Sequence, residues 1–350
     1  MNGSANTFVA NQSLATHYLS GSAQTSFSTP PRTNQATAQQ VANLFRQGRQ
    51  GEAVALLNNQ KQGQPPAVQQ ALDRMVSAEL QYSISPNAAQ NNQSLFASPA
   101  EIGTAIRQIN EAGSQPPEMP DTSTLSDQQK FDVYASIVQT RGDQSAQDDL
   151  ANGNSVIVGL RSETGTLENN GQGVYDDRIA VISRDTNGTV HVEEFNQVST
   201  EPTAQYDANL ANHPDNRFRR SVGEDVTGDG IRDQGRLAAP QTIQMYEDTH
   251  RNPASAGGTD FALRPTPQAV NQGQGGVERF TAGTGYVDNS NPAATDDLNR
   301  TFKIHSGSRT NTDSAGCTTI HPNDYVRFED SIRTNPGQTT WNYLLTEVSP

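Results

Sequence analysis

The chain predicts an α+β protein: a small helical domain over residues 36–145, then a mostly β domain over residues 150–350. Three observations predict it. Apolar residues recur at three- and four-residue spacing as far as about Gly142. β-branched runs take over near Asp148. Residues suited to helix caps and tight turns stand where the period changes.

Residues 1–35 carry one charged side chain, Arg32, among many Ser, Thr, Asn and Gln. Such a segment buries too little apolar surface to offset its ordering entropy. It also lacks the basic start and apolar centre of a secretory signal. A disordered tail or an unprocessed export signal is expected, the latter implying delivery outside the cell without a recognisable signal peptide.

In the helical region Val41, Leu44 and Phe45, then Val54, Leu56 and Leu57, are broken by Gly48 and Gly51, which predicts a hairpin of two short helices. Val68, Leu72, Met75, Val76 and Leu80 line one face of a third helix with Pro66 near its start. Ser98-Pro99 opens a fourth, and Ser126 with Gln129 three residues on is a capping-box pattern for a fifth. The strands follow in "NSVIVGLRSETG" and "DDRIAVISRDTNGTVHVEEFNQVST", the second a hairpin with Asn187-Gly188 at its tip, and in "TFKIHSG". A late helix is expected near "PNDYVRFEDSIRT".

Composition narrows the function. The formal charge is −14, only three lysines occur (Lys61, Lys130, Lys303) and the arginines are scattered singly apart from Arg219-Arg220, which argues against a nucleic acid partner. No run of 18 apolar residues exists, so no membrane-inserted helix is expected. A single cysteine excludes an intrachain disulfide.

That cysteine lies in "KIHSGSRTNTDSAGCTTIHP", where Ile304-His305 closes a strand and Ser314-Ala315-Gly316-Cys317 follows a polar loop. A thiol attacks a carbonyl as thiolate, and a neighbouring histidine can take its proton and return it to a leaving amine. Gly316 frees the backbone for a tight turn that could aim N–H groups at an oxyanion. His305, Cys317 and His321 also offer zinc-compatible atoms, although the spacing matches no standard site. His321, just before Pro322, suits the entrance of the late helix. A second motif, "DVTGDGIRD", sets Asp225, Thr227, Asp229 and Asp233 at the first, third, fifth and ninth places of a calcium-type loop, with Arg236 where the bidentate glutamate belongs. These four are the candidate ligands of a structural calcium.

The strand-terminal histidine, loop and Ser-x-Gly-Cys resemble the L,D-transpeptidase catalytic domain (YkuD-like) over roughly residues 155–335. The order of "FNQVST", "GRLAAPQTIQMYE", "FALRPT" and "FKIHSG" is similar as well. The resemblance implies an L,D-transpeptidase-like fold for the β domain, with Cys317 as nucleophile, His305 as base, and Ser314 and Gly316 shaping the turn. No cofactor is required for that chemistry. Thr319 stands where the family has arginine two residues after the cysteine, leaving Arg264, Arg309, Thr319 and Tyr286 to hold a substrate. The implied substrate is a peptidoglycan stem peptide, and a secretion chaperone or immunity protein is the implied partner of an exported effector. A binding or virulence protein on the same fold, or a cysteine peptidase for host protein, remains the alternative.

Overall fold

The computed structural model describes residues 33–85, 94–166, 168–206, 223–225, 228, 232, 234–250, 261–280 and 294–349. Six helices come first: α1 Asn34–Arg46, α2 Gln50–Lys61, α3 Pro66–Leu80, α4 Pro99–Ser114, α5 Asp127–Arg141 and α6 Gln144–Ala151. Their starts follow from the sequence. Ser98 and Ser126 each accept a hydrogen bond from the backbone three residues on, and Glu101 and Gln129 reach back to the cap N–H. Each cap contributes about 1 kcal/mol. The turn after α1 uses Gly48 at φ +73°. Helix α6 was not expected from the sequence. It carries few apolar residues, and Asp143 starts it by accepting from the Ala146 N–H at 3.0 Å.

Helices α1 to α4 share one apolar core around Val41, Leu57, Leu72 and Ile106. Helix α5 is buried on nearly every side: Val133 meets α3, while Phe131, Tyr134 and Ile137 meet the sheet. Asn34–Pro350 accordingly forms one unit.

The strands are β1 Val156–Arg161, β2 Asp177–Arg184, β3 Val190–Ser199, β4 Gln234–Leu237, β5 Gln241–Thr249, β6 Phe261–Pro265, β7 Gly276–Phe280, β8 Ala294–Asp297, β9 Ile304–Ser306, β10 Thr318–Ile320 and β11 Thr340–Glu347. Eight close a barrel in the order β1-β11-β5-β6-β9-β10-β3-β2, and β4-β7-β8 make a separate antiparallel sheet. The β1–β11 and β9–β10 pairs are parallel; the other barrel pairs are antiparallel. Asn187-Gly188 does sit in the β2–β3 turn, with Gly188 N–H donating to Asp185 O at 3.0 Å. The fold is therefore mixed α and β, with helices packed against both faces of the closed sheet.

Alternation along the strands sends Ile157, Ile179, Ile243, Ile304, Ile320 and Tyr343 into the main core. The late helix, Pro322–Ile332, joins it through Phe328, edge-on to Phe195 with ring centres 5.6 Å apart. The opposite faces of β1 and β2 present Val156, Val158, Ala180 and Ile182 to α5 and α6.

An ionic cluster around the buried Arg236 joins the small sheet to the barrel. Arg236 on β4 donates to Glu201 at 2.6 Å, Glu278 at 2.7 Å and Glu163 at 2.9 Å. Arg161, fully buried at the end of β1, donates to Thr200 Oγ1 and Leu237 O at 2.9 and 2.8 Å. Asp177 accepts from Ser162 N–H, Thr200 N–H and the Thr200 hydroxyl. Burial, then the neighbouring carboxylates, push Asp177 up to about 8; burial likewise pushes Glu201 up to about 7, against the pull of Arg161 and Arg236.

Candidate active site

The histidine and the cysteine come from neighbouring parallel strands. Thr318 pairs with Ile304 and Thr319 with His305. Ile304 and Ile320 point into the core, so His305 and Thr319 share the other face. Cys317 stands one step before β10, diagonal to His305. The row continues across the sheet: His305 pairs with Ala262, Ala262 with Asp248, and Thr319 with Ser199.

His305 is 3% exposed, and its Nδ1 lies 2.8 Å from Ser306 O. A carbonyl oxygen can only accept, so Nδ1 carries the hydrogen and Nε2 is the basic nitrogen. That is the tautomer a general base needs.

Cys317 is half-buried, and its thiol donates to Thr301 O at 3.6 Å. Burial pushes the thiol above its ordinary range. The Lys303 charge, the Lys303 backbone N–H and the Arg264 charge pull it back down, and Asp313 opposes them. The resting sulfur is therefore protonated, in a field whose cations favour the thiolate.

The turn before the cysteine is held from several sides. Ser314 Oγ donates to Cys317 O at 2.7 Å and accepts from Gly316 N–H at 3.1 Å. Thr203 donates to Ser314 O through both its backbone N–H and its hydroxyl, at 2.9 and 2.8 Å. Gly316 has φ +119°, and a Cβ there would collide with Gly235 O on β4. The small sheet therefore presses directly on the turn before Cys317. Tyr175 donates to Ser308 O and Asn311 O at 2.8 and 3.0 Å, pinning the loop between the two strands.

The four expected substrate contacts fare differently. Arg264 lies on β6, on the histidine side of the sheet, but its guanidinium donates to the carbonyls of Thr249, His250 and Arg300 and faces Asp248 at 3.2 Å. Arg309 is exposed in the loop. Thr319 is fully buried, with no partner for its hydroxyl. Tyr286 lies outside the described residues. Arg264 and Lys303 nevertheless bring positive charge to the thiol in a chain that is acidic overall.

The calcium loop also lies largely outside the described residues, which omit Thr227, Asp229 and Asp233. Asp225 accepts from Gly228 N–H at 2.7 Å, a turn bond that needs no metal. Among the described residues no group of three or more His, Cys, Asp or Glu is placed to hold a metal, and no helix is long and apolar enough to cross a membrane. His321 takes the capping role: its Nδ1 accepts from Asn323 N–H at 3.2 Å, and its ring meets Tyr175 edge-on.

Sequence reasoning missed two residues here, Lys303 and His250. The imidazole of His250, just past β5, stacks on His305 with centres 4.0 Å apart and planes 12° from parallel. The available signal was a second strand ending in histidine, "QMYEDTH", like the one ending at His305.

Comparison with protein-family models, with curated proteins and with solved structures returns no match to this chain.

Proposed function

We propose that this protein is a cysteine acyl-transfer enzyme acting on peptidoglycan stem peptides, an exported effector with an L,D-transpeptidase-like β domain. One observation carries the proposal: in-register parallel strands set Cys317 diagonal to a histidine whose Nδ1 is tied to a carbonyl. Nε2 takes the thiol proton as the S–H bond breaks, and the sulfur keeps the electron pair. The thiolate adds to the carbonyl carbon that precedes the terminal D-amino acid. As the tetrahedral intermediate collapses, the C–N bond breaks and the imidazolium returns its proton to the departing amine. An acceptor amine then resolves the thioester as a transpeptidase, or water as a carboxypeptidase or endopeptidase.

The cations around the site support an anionic substrate. A stem peptide carries several carboxylates, and Arg300, its side chain 49% exposed beside Asp248 at 3.6 Å, is open to meet one. Arg264 is engaged with the backbone instead.

The test is incubation of the protein with muropeptides, followed by mass spectrometry, in parallel with Cys317→Ala. Loss of a D-amino acid or new cross-links with the wild type alone is expected. Unchanged muropeptides, together with a Cys317 that iodoacetamide does not alkylate at neutral pH, would leave the alternative of a binding protein on the same fold.

A further inference from the structure

We infer that His250 is a positioning residue for the catalytic imidazole, and that the backbone clamp formed by Arg264 and Lys303 exists to hold it there. The inference rests on the acyl-transfer reading of Cys317 and His305 and adds to it what orients the base.

The geometry starts from the strand order. Strand β6 lies between β5 and β9, with Asp248, Ala262 and His305 in one row. His250 follows Asp248 by two residues, so the chain leaving β5 can carry its ring across the small Ala262 side chain onto His305. A larger side chain at Ala262, which is fully buried, would stand in that path.

Two cations then fix the backbone of His250. Arg264 Nη2 donates to its carbonyl at 3.2 Å, and Lys303 Nζ donates to the same oxygen at 3.2 Å. Arg264 also grips the preceding carbonyl, Thr249 O, through Nε at 3.1 Å and Nη2 at 2.8 Å. Asp248 holds the guanidinium in turn at 3.2 Å. These bonds spend one arginine and one lysine on a short stretch of main chain whose side chain touches the base. A cation-bound carbonyl is a stronger anchor than a neutral pair.

What the clamp achieves is restriction of the His305 ring. Its Nδ1 bond to the adjacent Ser306 carbonyl fixes one edge. A flat ring 4.0 Å above its face removes the remaining rotation about χ2. Nε2 is then aimed before substrate arrives, and such preorganisation supplies rate because a displacement near 1 Å can cost about 100-fold.

The assignment makes a sharp distinction between ring shape and ring chemistry. His250→Ala should slow carbamidomethylation of Cys317 by iodoacetamide at pH 7 by about 10-fold or more. His250→Phe, which restores a flat ring without nitrogen, should recover the rate to within about 3-fold of wild type. The ¹⁵N shifts of His305 should report an Nδ1–H tautomer in the wild type and the phenylalanine variant, and mixed tautomers in the alanine variant. If His250→Ala does not fold, His250→Gln takes its place, with the same expected loss. Equal rates in all variants overturn the inference, as does an equal loss in the alanine and phenylalanine variants. Alkylation needs no muropeptide, so a wild type that processes muropeptides while ignoring changes at His250 sinks this inference alone. A His250-dependent thiol that leaves muropeptides unchanged sinks the proposed substrate alone.

Discussion

Two polar clusters in this chain are wired in opposite ways. Beneath the small sheet, Arg236 bonds to the carboxyl groups of Glu163, Glu201 and Glu278, side chain to side chain. At the cysteine face the thiol, the imidazole and the Arg264 guanidinium bond chiefly to main-chain carbonyls: Thr301, Ser306, Thr249 and His250. Reacting any member of the first cluster means breaking an ion pair. In the second, the groups are positioned but keep a transferable proton and a basic nitrogen. The difference separates a polar cluster locked by ion pairs from one that keeps groups able to exchange a proton.

The comparison yields its largest expected effect at Arg236. Arg236→Met strips one cation from three carboxylates, and breaking a buried network from one side costs about 3–5 kcal/mol. Urea denaturation should show that loss in full. A midpoint within experimental scatter of wild type would mean that the cluster does not hold the small sheet to the barrel.

Gly316→Ala should come next, because it strikes where the two clusters meet. The residue has φ +119°, and its Cβ would collide with Gly235 O, next to Arg236. Strain of this kind costs about 1–3 kcal/mol. Cys317 alkylation should fall more steeply than stability, since the turn itself must shift; a change in stability without a change in alkylation would separate the small sheet from the site.

The smallest effect is expected at Thr319. Its hydroxyl is buried beside the site without a partner. Replacing an unsatisfied hydroxyl with a methyl of the same shape should be neutral or stabilising by up to about 1 kcal/mol. Thr319→Val should therefore keep both the urea midpoint and the alkylation rate. A large loss of rate with an unchanged midpoint would show that the hydroxyl serves the reaction.

What could be read from the sequence follows the range of the interactions. The caps at Ser98 and Ser126, the Asn187-Gly188 turn and the Ser314-to-Cys317 turn are each decided within about five residues, and local pattern suffices for them. Helix α5 shows the limit: it is buried on both its α3 and its sheet sides, so no amphipathic stripe says what it touches. His250 and Arg236 show a second limit. Their partners arrive from strands distant in sequence, and the barrel order that joins β5 to β9 through β6 is not written in any local period. Arg264 was legible as a cation near the site, but not as one already engaged with backbone carbonyls.

The most direct test of the account is to trap the acyl-enzyme. The protein is mixed with a stem tetrapeptide, quenched in acid within the turnover time, and its intact mass measured, with Cys317→Ala alongside. The account predicts a wild-type adduct equal to the tetrapeptide less its terminal D-amino acid, located on Cys317 by peptide mapping and absent from the variant. A wild-type protein that never gains this mass, while its Cys317 is alkylated readily at neutral pH, would contradict it.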